Sequence, residues 1–146
     1  MKLKQLIFAL LIVSMGVKSY GQRISNIRFI HRGEELKPIG TLSISTDEVI
    51  VPTDRQLDKI YGKAVKTDTN SFNLVADFVI NSKLLTNKPR KLHGNKEFYE
   101  IIIVSVTNTQ RLYLGEHDII AFFNTLRDLL IKDNADPHLL DALKYY

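Results

Sequence analysis

Phe98-Tyr99-Glu100-Ile101-Ile102-Ile103-Val104-Ser105-Val106-Thr107 is the stretch on which the fold turns. Branched and aromatic side chains dominate it and occupy both alternating sets of positions through its middle. A strand apolar on both faces needs neighbours around it, so the run predicts a strand placed centrally in a sheet. Asn108-Thr109 follows and can turn the chain back into a partner strand, Arg111 to Leu114, which makes a hairpin.

Downstream, the period changes from strand to helix. Ile119, Ile120, Phe122, Phe123, Leu126, Leu129 and Leu130 form a broad apolar stripe, with Glu116 and Asp118 at the positive end of the helix they begin. This helix, drawn from Glu116 to Lys132, is expected to pack on the sheet. Asp136-Pro137 then starts a short last helix, with Asp as cap, Pro in the first turn and Leu139, Leu140 and Leu143 along its buried edge.

Upstream, Ile24 to Ile30 alternates imperfectly and reads as a first strand. Thr41 to Ser45 and Val49 to Val51 flank the turn residues Thr46-Asp47 and extend it into an antiparallel meander. Thr53 with Gln56 resembles a capping box, and Leu57, Ile60, Tyr61, Ala64 and Val65 follow at helical spacing, so a helix is expected there, weakened by Gly62. Ser71 to Leu85 fits either period; helix is preferred, with Asn70 or Ser71 as its cap. Thr86 to Lys96 is polar, contains Pro89 and Gly94, and reads as an exposed loop. The order of elements predicts an α+β domain: a small antiparallel sheet of about five strands packed against helices largely on one face.

The N-terminus reads as an address. Met1 to Lys4 is basic, Leu6 to Val13 is an apolar run of eight, and Ser19-Tyr20-Gly21 supplies small residues for cleavage, so residues 1–21 are expected to be a signal peptide and 22–146 one domain. A run this short does not span a hydrocarbon core about 30 Å thick, so no permanent membrane span is expected after cleavage. The whole chain carries 20 basic residues, 16 acidic ones and a net charge of +4. Lys2, Lys4 and Lys18 belong to the leader, which leaves 17 basic residues against 16 acids and a net charge of +1. A general affinity for nucleic acid is therefore disfavoured. Cysteine is absent, which excludes disulfides, thiol catalysis and a lipid anchor built on cysteine. No Asn-x-Ser/Thr acceptor occurs, which points to a bacterial periplasmic or secreted protein.

Chemistry-bearing motifs are sparse. Lys83, Lys88, Arg90, Lys91 and Lys96 give the segment after Asp77 five positive charges with no acid before Glu97. Such a loop can meet an acidic partner or an anionic surface, although charge that simply keeps a loop solvated is the plainer reading. Glu116-His117-Asp118 places adjacent groups in different directions, and helix-start chemistry accounts for its acids. His31, His93 and His138 lack the i, i+4 spacing of a zinc helix. Ser43, Ser45 and Ser105 lack the Gly-x-Ser-x-Gly turn of a serine hydrolase. Phe122-Phe123 is core by spacing, and Tyr145-Tyr146 can pack back on the domain or touch a partner.

No metal or cofactor is expected. The leading expectation is an exported, non-catalytic domain that binds another protein, of the immunity or inhibitor kind or associated with the envelope. A carrier of a small apolar ligand and a small hydrolase built around His117 or His31 are the alternatives.

Overall fold

The computed structural model describes residues 23–33, 38–52, 62–88 and 98–143. The expected signal peptide (residues 1–21), the capping box expected at Thr53 with Leu57 to Tyr61, the residues Arg90, Lys91, His93 and Lys96, and the terminal tyrosines lie outside the described residues.

Six strands, β1 (Ile24–Arg32), β2 (Pro38–Ser45), β3 (Glu48–Pro52), β4 (Gly62–Lys66), β5 (Phe98–Ser105) and β6 (Thr109–Gly115), form one sheet in the order β4-β3-β2-β1-β5-β6. Every neighbouring pair is antiparallel. The first four strands make a meander, and helix α1 (Thr69–Asn81) then carries the chain across to β5 on the far side of β1. After β6 a single 3-10 turn (Glu116–Asp118) leads into α2 (Ile119–Lys132), and α3 (Pro137–Leu143) ends the described chain. The α+β architecture is thus the one expected, with one strand more.

That extra strand corrects the sequence reading. Residues 62–66, assigned above to the end of a helix, pair with β3, and Val65 stands opposite Val49. Ala64 and Lys66 are exposed while Val65 is half-buried, a period of two. A β-branched valine in the same short segment as a helix-weakening glycine favours pairing over helix once a partner strand is available.

Pairing register separates the sheet's two faces. Ile27, Phe29, Leu42, Ile44, Val49, Tyr99, Ile101, Ile103, Leu112 and Leu114 share one face, and all belong to the same buried cluster as the helical residues. From the helices, Phe72, Val75, Ala76 and Val79 of α1 and Phe122, Phe123, Leu126 and Leu130 of α2 meet them. Aromatic rings fill the contact layer: Phe29 lies 6.4 Å from Phe122 and 5.8 Å from Phe123, and Phe78 lies 5.0 Å from Phe122. All three described helices therefore cover the same face.

Local chemistry fixes the helix ends. Asp68, not Asn70 or Ser71, caps α1: its carboxylate accepts from the Ser71 backbone N–H at 2.7 Å and from the Ser71 hydroxyl at 2.8 Å. The buried Ser71 hydroxyl also accepts the Asp136 N–H at 2.8 Å, which ties the start of α1 to the entrance of α3. Asp136 in turn accepts the His138 N–H at 2.7 Å, the cap expected for the last helix. The helix drawn from Glu116 starts at Ile119, because its first turn is 3-10. At the other end of α2, Asn134 takes φ 51°, with its N–H on the Ile131 carbonyl and the Ala135 N–H on the Leu130 carbonyl. That is a Schellman motif with asparagine in place of the usual glycine.

Candidate functional site

The opposite face of the sheet carries none of the described helices, and its chemistry differs sharply from the core face. Three cross-strand rows define its centre. Arg28, Ile102 and Arg111 form one, Ile30, Glu100 and Tyr113 the next, and Arg32 with Phe98 the third. Glu100 thus has an arginine diagonally on either side, one on β1 and one on β6. Diagonal neighbours about 7–8 Å apart lie within reach of long side chains.

Those side chains close on the carboxylate. Arg32 donates from Nε at 3.0 Å and from Nη2 at 2.5 Å to one oxygen, while Arg111 donates from Nη1 at 2.5 Å to the other. Glu100 is almost fully buried, with 6% of its side chain exposed, whereas Arg32 is 23% exposed and Arg111 58%. A carboxylate this buried requires paired, hydrogen-bonded partners, and here both oxygens have charged donors. Arg32 covers the acid, and Arg111 spans from it to solvent.

A second chain of hydrogen bonds orders the neighbouring corner. Exposed Arg28 donates from Nε to the Asn26 side-chain oxygen at 3.1 Å, and Asn26 donates to the buried Ser43 hydroxyl at 2.9 Å. On the other flank, Phe98 and Tyr113 pack their rings 6.3 Å apart. The face therefore presents two arginine heads, Arg28 and Arg111, on either side of the buried Ile102, with an aromatic pair beside them.

The basic loop begins at this same edge. Thr86, expected to open an exposed loop, instead exchanges two backbone hydrogen bonds with Tyr113, at 3.0 and 2.8 Å. The exchange satisfies backbone groups that an edge strand would otherwise offer to other chains. Its hydroxyl donates to the Lys88 carbonyl at 2.8 Å, so Lys88 is held just beyond β6. Lys83 lies in the turn after α1, and both lysines are exposed.

The described histidines fall elsewhere. His31 points to the helix-covered face and stacks on Tyr99, with ring centroids 4.7 Å apart and planes within 6°. Tyr99 then meets Phe123 edge-on at 5.1 Å. His117 sits exposed in the 3-10 turn, and His138 is exposed on α3. Among the described residues no group of three His, Asp or Glu is placed to hold a metal ion, and no helix is long and apolar enough to cross a membrane.

Arg28, Arg32, Glu100 and Arg111 were not singled out from the sequence, although a signal existed. Glu100 is the lone charge inside an apolar strand, and a central acid must find a cation. Asn26, Arg28 and Arg32 also recur on even positions of β1, the face opposite Ile27 and Phe29. No protein-family model, no curated protein and no solved structure matches this chain.

Proposed function

We propose that the protein is an exported bacterial domain, periplasmic or secreted, that works by binding another protein through the outer face of its sheet. One observation carries this reading: the described helices all pack on one face, while the other displays an ordered arginine pair, Arg28 and Arg111, beside Phe98 and Tyr113. Arginine and tyrosine are the residues in which binding energy at protein interfaces concentrates. Side chains already fixed by Glu100 and Asn26 lose less entropy on docking.

The surplus of apolar residues that suggests a ligand carrier is taken up by packing. Phe29, Phe72, Phe122, Leu126 and Leu130 are all essentially inaccessible, and the Phe122 ring packs against those of Phe29 at 6.4 Å and Phe123 at 5.3 Å. The short leader supports export, and the absence of cysteine fits a chain whose core holds without staples.

Site-specific photocrosslinking tests the reading. A photoreactive residue replaces exposed Thr109 on the outer face or, as a control, exposed Asn124 on α2, in cells of the bacterium that makes the protein. A discrete protein adduct from position 109 and none from 124 is the expected result. Adducts from neither position, across growth conditions, would count decisively against a protein-binding role for this face.

A further inference from the structure

Charge is segregated between the two sides of the fold. In the helical layer, residues 68–81 and 116–143, eight acids (Asp68, Asp77, Glu116, Asp118, Asp128, Asp133, Asp136 and Asp141) face only two basic residues, Arg127 and Lys132. On the outer sheet face the balance reverses: Arg28, Arg32, Lys66 and Arg111 stand against Glu48 and Glu100. Glu100 spends its charge inside the sheet on Arg32 and Arg111, so what reaches the surface is cationic.

We propose that the outer sheet face docks an acidic segment of the partner protein, with Arg28 and Arg111 taking its carboxylates. The inference rests on the protein-binding reading above and names the partner's chemistry. Arg28 uses Nε on Asn26 and Arg111 uses one Nη on Glu100, which leaves further N–H donors of each planar guanidinium to meet a carboxylate in the forked geometry that arginine favours. The two residues occupy one row across the sheet, separated by Ile102 of β5. An extended segment with acids at i and i+4 and an apolar residue at i+2 would lie across this row, these three side chains on its sheet-facing side and the apolar one against Ile102 between the arginines. The acidic helical layer repels the same segment, so the field also selects the face on which an encounter is productive.

The probe is a hexaglutamate peptide titrated at low salt into the isotope-labelled chain starting at Gln22, followed by amide chemical shifts. Expected are shifts concentrated at Arg28, Ile102, Arg111 and Tyr113, weakened about tenfold or more in the Arg28→Glu/Arg111→Glu double variant. Circular dichroism and thermal melting establish that this variant is folded. If it is not, Arg28→Gln alone, which leaves the Glu100 cluster intact, must still weaken the peptide. Inorganic phosphate and phosphatidylglycerol vesicles are run alongside. Shifts of equal size with either, shifts confined to Lys83 and Lys88, or no response to the peptide would each overturn the proposal. A crosslink from position 109 that persists while hexaglutamate leaves the face unmoved refutes the acidic partner alone. Loss of both refutes the binding reading as well.

Discussion

Glu100 shows how one side chain can decide what a surface displays. Its carboxylate is buried between Arg32 and Arg111, and truncation removes the group that lets two guanidiniums converge from the strands on either side of β5. Glu100→Ala is expected to lower stability by about 2–3 kcal/mol, measured from urea midpoints. Arg32→Ala should cost more than Arg111→Ala, because Arg32 is mostly covered and holds one oxygen with two donors, while Arg111 is largely exposed and leaves the acid only half-deprived. Equal costs for the two arginines would show that burial does not govern the cluster. Asp68 offers a separate test. The Ser71 backbone N–H and then its hydroxyl hold the Asp68 carboxyl below its ordinary value of 3.8. A lowered folded pKa stabilises the protein above the ordinary value, and that contribution disappears as pH falls through the lower folded one. Asp68→Asn should therefore be less stable than wild type near neutrality, and the gap should narrow as pH drops below about 4. A gap that stays constant down to pH 2.5 would mean that the cap works without its charge.

At the scale of elements, legibility followed the strength of the period. The stripe of α2 was readable because seven apolar residues recur with helical spacing, and the both-sided apolarity of β5 marked a strand with β1 on one side and β6 on the other. Ser71 to Leu85 was ambiguous by pattern; it is helix as far as Asn81, with Phe72, Val75, Ala76 and Val79 buried, and residues 82–85 leave the helix. Where the reading failed, long-range pairing intervened: Val65 found Val49 and Thr86 found Tyr113, partners no local window contains. The outer-face cluster was hidden for the same reason, since Arg32 and Glu100 lie 68 positions apart. Burial corrects the stripe expected on α2, because Ile120 belongs to it by spacing and yet faces solvent. Leu126 is fully buried, so Leu126→Ala is expected to cost about 2–5 kcal/mol. Ile120, 74% exposed on the same helix, should change stability by less than about 0.5 kcal/mol when replaced by alanine. A large loss at Ile120, measured by thermal unfolding, would mean that its side chain is covered in solution and would assign a contact to the helical layer.

Across the molecule, the buried cluster draws on every described strand and α-helix except β4. The meander β1–β3 contributes Ile27, Phe29, Leu42, Ile44 and Val49, but the apolar surface that covers them comes from α1, α2 and α3, later in the chain. Helix α3 is held from two directions: Ser71 binds the Asp136 N–H at its start, and Arg127 of α2 donates to the Leu143 carbonyl at its end, at 3.0 Å. The hairpin β5–β6 likewise lies between β1 and Thr86, pairing backward on both sides. Among the described residues, the meander has no helix of its own to cover its apolar face and depends on the helices that follow it. Without cysteine, no disulfide cross-links the chain in the unfolded state. The chain beginning at Gln22 is therefore expected to unfold in a single cooperative step, with far-ultraviolet circular dichroism and tyrosine fluorescence giving the same urea midpoint and slope. Reductant should leave both unchanged. Two resolved transitions would show that the meander or the helical layer is stable alone, and the shared core would then not be what makes the sheet and helices one folding unit.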